Sequence, residues 1–149
     1  MIERDPATLA ALFLEAQNHV YPDALAELRA GSKRSHWMWF VFPQLVGLGR
    51  SEMAQRYGLA GLGEARSYCS HAVLRARLVE CTEAVLLHAP DSAAPRSLNQ
   101  IFGSPDDLKF HSSITLFQYA APELEVFQRA LAAFFDGEKD DRTLRLLTA

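Results

Sequence analysis

The chain has 149 residues, 49% of them hydrophobic and 22% charged, with a formal net charge of −3. Those proportions belong to a soluble globular protein and exclude a largely disordered one, and the acidic balance argues against nucleic acid as a partner. The longest strictly apolar runs, Trp37 to Phe42 among them, fall far short of the ~20 residues a membrane span needs, and the start M-I-E-R-D-P has no signal-peptide pattern.

In chain order, Asp5-Pro6 reads as an N-cap followed by proline at the first helical position. Leu9, Leu12, Phe13 and Ala16 continue at helical spacing. Tyr21-Pro22 opens a second short helix that Gly31 stops. Residues 36 to 42, if helical, form a segment apolar all round and therefore central and buried, with Trp37 and Trp39 on nearly opposite sides. Pro43 interrupts it and Gly47-Leu-Gly49 reads as a loop. Ser51 caps a helix that Gly58 ends, and Glu64 to Tyr68 gives another turn or two.

Leu74, Leu78, Cys81 and Val85 mark a long helix ending before Pro90, and residues 89 to 95 form a loop. Ser97 to Phe102 is a short helix ended by Gly103. Ser104-Pro-Asp-Asp107 reads as a helix start with a serine N-cap, proline at the first position and acids in the first turn. Phe110, Ile114 and Phe117 share a face of that helix. Pro122 starts a last full helix, and Gly137 to Asp141 breaks the chain before a short polar tail. No alternating strand or hairpin turn pair appears. The expected fold is all-α: a compact bundle of roughly six to nine helices, several short, in a single domain over 1–149 with a short polar C-terminal tail from about 137.

Cys69 and Cys81 are too few for a disulfide framework and read as core thiols in a reduced, cytoplasmic setting. Cys69-Ser-His71 offers two metal ligands where a site needs three or four, so no metal is expected. Gly47-Leu-Gly49 completes no dinucleotide fingerprint, and no cofactor is expected.

Two segments carry the candidate chemistry. From Leu28 to Ser51 there is no Asp or Glu, while Arg29, Lys33, Arg34 and Arg50 lie inside that window. An acidic protein with one locally basic segment has a spot suited to an anion. Ser35 and His36 precede an expected helix, whose unpaired backbone N–H groups would seat a phosphate or carboxylate beside Lys33 and Arg34. Trp37 or Trp39 could stack on a base, Gln44 could read a polar edge, and Arg50-Ser51 would add a second anion contact. The bland reading of the same residues is a core helix with a solvated charged mouth. The second segment runs from Gly103 to Ser113. Asp106 and Asp107 suit the first turn of a helix, and Lys109 and Ser113 share a face. His111 and Ser112 are adjacent, which does not aim an imidazole at a hydroxyl.

The string K-R-S-H-W-M-W-F-V-F-P-Q-L over Lys33–Leu45, with G-L-G-R-S over 47–51, resembles the signature of a bacterial family filed as domain of unknown function 1810. Ala54-Gln-Arg-Tyr57 and Ile101-Phe-Gly-Ser-Pro-Asp-Asp-Leu-Lys109 resemble its other blocks, so the likeness extends from about Phe13 to Phe135. The resemblance implies a small, all-helical, single-domain cytosolic protein and supplies no activity. The calpastatin-like label of some members finds no support in these residues. Its polar signature positions fall on Lys33, Arg34, Ser35, His36, Gln44, Arg50, Ser51, Gln55, Arg56, Asp106, Asp107 and Lys109.

Three functions compete. The leading expectation is a cytosolic protein that binds an anionic small molecule, a nucleotide or other phosphate, in a pocket between the Lys33–Gln44 segment and the Ser104–Ser113 helix start. Lys33 and Arg34 would neutralise charge there and His36 would be the weak candidate for proton transfer. The second is a protein-interaction module presenting an aromatic patch rimmed by Lys33, Arg34 and Arg50 to an acidic partner. The third is a structural ion-pair network of Lys33, Arg34, Asp106 and Asp107 with no further role. No membrane partner is expected.

Overall fold

A computed structural model describes residues 2–149. The described residues form ten helices, seven of them seven residues or longer, and no strand; the one extended pairing is an isolated bridge between Leu45 and Leu59. The helices are α1 (Pro6–Gln17), α2 (Tyr21–Ala30), α3 (Met38–Val41), α4 (Glu52–Tyr57), α5 (Leu62–Ser70), α6 (Ala72–Leu86), α7 (Leu98–Phe102), α8 (Asp106–Ala120), α9 (Glu125–Phe135) and α10 (Asp141–Thr148). None is long and apolar enough to cross a membrane.

Local chemistry sets most boundaries. Asp5 accepts a hydrogen bond from the Thr8 amide, and Ser51 and Ser97 do the same for Ala54 and Gln100, each satisfying one of a helix's orphan donors. Gly31 ends α2 at φ 74°, and its N–H donates to the carbonyl of Leu28. That glycine is required twice. The left-handed backbone disfavours a side chain, and a Cβ would stand 2.6 Å from Cδ of Arg96, whose Nε donates to the Gly31 carbonyl at 2.7 Å.

The burial expected of residues 36–42 holds for Trp37, Met38, Phe40, Val41 and Phe42, while Trp39 is partly exposed and His36 exposed; burial on every side of a long helix is found on α8, which packs against α5, α7, α9 and α10. Phe110, Ile114, Leu116 and Phe117 are fully buried on it, and Ser113 and Thr115 share that burial. Residues 36–42 give a single helical turn, α3, because Trp37 caps it at φ −142° and Pro43 follows at once. Its aromatic residues tie the two conspicuous segments together. Phe42 meets Phe102 at 6.0 Å and Phe110 at 5.2 Å, both edge to face, and Phe102 stacks on Phe110 at 5.1 Å.

Three expected boundaries are corrected. Pro105, not Ser104, occupies the cap position of α8, and no side chain caps it; Asp106 and Asp107 keep their first-turn places. α9 begins at Glu125 rather than Pro122, because residues 121–124 close a turn in which the Leu124 amide donates to the Ala121 carbonyl. The polar tail beyond 137 contains α10. Asp140 caps it through the amide and hydroxyl of Thr143, which is fully buried, while the Asp140 amide donates to Thr115 Oγ1 of α8.

Candidate functional site

Gly31 turns the chain so that the Lys33 amide donates to the Ile101 carbonyl at 2.7 Å, and the two candidate segments meet. The donors expected to seat an outside anion are there, but an internal carboxylate fills them. Glu27, in the last turn of α2, accepts from the amides of Arg34 (2.8 Å) and Ser35 (3.0 Å), from Ser35 Oγ (2.6 Å) and from Trp37 Nε1 (3.0 Å). Burial pushes the Glu27 carboxyl up, but these hydrogen bonds outweigh it and hold the group at about 2. Trp37 is fully buried, with its indole N–H satisfied by Glu27, so it offers no face to a ligand.

Beside that cradle runs an alternating stack. Lys33 Nζ lies 5.1 Å from the centre of the Trp37 ring and 3.0 Å from Asp106 Oδ2. The other oxygen of Asp106 is 3.5 Å from Lys109 Nζ, which sits 5.4 Å over Trp39. One carboxylate thus bridges two ammonium groups, each above an indole. The Lys33 side chain is only 8% exposed and that of Asp106 20%, so this pair is shielded from solvent far more than a surface bridge. A double-mutant cycle of Lys33→Met and Asp106→Asn is expected to give a coupling of ~1–2 kcal/mol in urea unfolding; additive effects would reduce the stack to chance proximity. Of the expected ion-pair network only Lys33 and Asp106 pair; Lys109, not expected in it, joins them, whereas Arg34 and Asp107 take no part. Asp107 instead accepts from the Leu108 amide at 2.9 Å and from Asn99 Nδ2 at 3.4 Å.

The remaining site residues stay near the surface. Arg34, His36 and Arg50 are exposed, and Trp39 and Gln44 are partly exposed. Ser51 is exposed and is engaged in capping α4. Trp39, Gln44, Tyr57 and Lys109 border a cleft of about 10 Å³. One water occupies roughly 10–15 Å³ on that measure, so the cleft takes a water and not a nucleotide. The pocket expected between the two segments is closed, because Phe42, Phe102 and Phe110 fill the space. His111 and Ser112 have separate partners: His111 stacks on Phe135 with ring centres 3.7 Å apart, and Ser112 Oγ donates to the Leu108 carbonyl. Burial pushes the thiols of Cys69 and Cys81 up to about 12, so both are neutral and poor nucleophiles. No cluster of three metal-ligating side chains occurs among the described residues.

The sequence reading missed the two acids that organise the framework, Glu27 and Glu64. For Glu27 the available signal was its place immediately before the acid-free window; for Glu64 there was none, since its partner Arg4 is 60 residues away.

The family described as a protein of unknown function (DUF1810) matches residues 8–147, and the chain belongs to that family. It is also similar to the crystal structure of the conserved hypothetical protein Rv1873 from Mycobacterium tuberculosis, at 48% sequence identity over 97% of this chain and 99% of that one, with a TM-score of 0.88. The comparison with curated proteins finds none that matches.

Proposed function

We propose that this member of the family is a binding module without chemistry of its own, whose basic face around Trp39 takes an acidic segment of a partner protein. The observation that carries this reading is the division of labour within the signature. Lys33, Ser35, Trp37 and Asp106 are spent on the framework, while Arg34, His36 and Arg50 point to solvent. The face they leave is shallow, with a cleft of about 10 Å³ beside Trp39, which suits a protein surface better than a small molecule. Residues 28 to 51 contain no acid, and a partly exposed tryptophan and exposed arginines are residue types enriched at interface centres. The neutral thiols and the separated His111 and Ser112 support binding over catalysis.

Because Trp37 is buried and Trp39 is not, a neutral quencher reads Trp39. The test is a synthetic peptide of Asp and Glu interspersed with Leu and Phe, titrated at low salt while acrylamide quenching is followed. Binding is expected to shield Trp39 and to weaken as salt rises. Arg34→Glu combined with Arg50→Glu is expected to weaken binding at least tenfold with the melting temperature unchanged. Protection by inorganic phosphate or AMP but not by the peptide would favour the small-anion reading. Binding that is indifferent to both arginines would remove this face from the function.

A further inference from the structure

Helix α5 separates two depressions that share no lining residue with the signature. Toward α1 lies an apolar cleft of about 760 Å³, floored by Ala7, Ala10, Ala11 and Leu14. Toward the start of α6 and the α8–α9 turn lies a polar pocket of about 290 Å³, bounded by Arg66, Ser70, Arg75 and Glu123. Arg66 and Ser70 line both spaces, and they stand one helical turn apart on the same face of α5. The two spaces therefore lie on either side of one exposed ridge, which both share as a wall. Their sizes match the roughly 300–1,000 Å³ of small-molecule sites, unlike the cleft beside Trp39.

The charges at the polar end are uncommitted. Arg66 and Arg75 are exposed, and neither joins any ion pair among the described residues; the same holds for Glu123. Two guanidinium groups against one carboxylate leave one positive charge in excess. Cys69 also lines the pocket, and as a neutral thiol it adds no charge. An all-polar ligand would leave the apolar cleft wet, and an all-apolar one would leave the arginines without a partner. A molecule with one anionic head and one apolar chain satisfies both halves, since Arg also presents the planar donors that suit carboxylate and phosphate.

We propose that the ridge of α5 holds a site for a single-chain anionic amphiphile, its carboxylate or phosphate-monoester head at Arg66 and Arg75 and its chain along α1 between Ala7 and Leu14. The site is separate from the Trp39 face, and either can fail alone.

The probes are octanoate, decanoate, decyl phosphate, decanol and decyltrimethylammonium, each kept below its micelle concentration and titrated calorimetrically. Decanoate and decyl phosphate are expected to bind, and decanoate about tenfold more tightly than octanoate. Full burial would give about fourfold per methylene, from ~0.8 kcal/mol for each CH2. Decanol should bind at least tenfold more weakly than decanoate, and the cation not measurably. Arg66→Glu with Arg75→Glu should cost at least tenfold, and Ala11→Trp, which fills the trench from an exposed position, should do the same with helical circular dichroism and melting temperature retained. Equal binding of decanol and decanoate, or indifference to both arginines, would overturn the site. So would failure of both soluble anions to bind, even if the protein sediments with vesicles of phosphatidylcholine and phosphatidylserine, because that result would report a membrane surface and not this cleft.

Discussion

Glu64→Ala is expected to lower unfolding free energy by ~3–5 kcal/mol, the range for stripping one partner from a buried ion pair. The Glu64 side chain is 1% exposed, and both of its oxygens are used. Oε1 accepts from Arg4 Nη2 at 2.8 Å and from the Ala60 amide at 2.9 Å; Oε2 accepts from the Arg4 amide at 2.7 Å and Arg4 Nε at 3.1 Å. Arg4 continues to the carbonyls of Gly58 and Arg56, so this one guanidinium ties the N-terminal segment to the junction of α4 and α5. Without the carboxylate, a cation with a side chain only 21% exposed and two amides lose their acceptor together. Glu64→Gln keeps the shape and one acceptor oxygen, and should cost about half as much. Urea unfolding with an unchanged slope measures both. A loss below ~1 kcal/mol for the alanine variant would mean that water reaches Arg4 and the strap is ornamental.

What could be read in the sequence and what could not divide by distance along the chain. Asp5, Ser51 and Ser97 were legible as caps because each acts on an amide three residues on, and Gly31 because a helix stop depends on its own backbone. The all-α class comes from many such local signals. The start of α8 was misread although its residues suggest a serine cap, since Ser104 finds no amide to cap. α10 was missed because its anchor is Thr115, a residue 25 positions earlier whose fate the local pattern does not reveal. The signature's two tryptophans are expected on opposite sides of one buried segment, whereas Trp37 is fully buried and Trp39 is partly exposed. The donors of the signature were assigned to a ligand. Unpaired amides beside basic residues look the same in a sequence whether the anion comes from outside or from an acid seven residues upstream. The closed pocket has the same origin, because only the fold reveals that Phe42, Phe102 and Phe110 converge.

Glu27→Ala should therefore separate the framework role of the signature from any recognition role. It removes the acceptor of two amides, one hydroxyl and the indole of a fully buried tryptophan, and is expected to cost ~2–3 kcal/mol. The pH dependence carries the same signature. The carboxyl sits at about 2 in the folded protein against an ordinary 4.5. A depressed folded value means that the stabilisation is complete above about 4.5 and is lost as pH falls from there toward about 2. The full shift would correspond to about 3.4 kcal/mol, and because Glu27 is partly open to solvent ~2 kcal/mol is the better expectation. Glu64 is also held below the ordinary carboxylate range and loses its contribution in the same acid window, so the wild-type curve alone does not isolate Glu27. The difference between wild type and Glu27→Gln does: it should shrink by ~1–2 kcal/mol between pH 6 and pH 3. A pH-independent difference would place the four donors on water instead of the carboxylate. Arg34→Glu, by contrast, leaves the Arg34 amide in place and removes only an exposed side chain, so it should leave stability nearly unchanged. A signature in which Glu27 governs stability and Arg34 governs binding is one built in two layers. A signature in which both variants unfold the protein would be framework throughout.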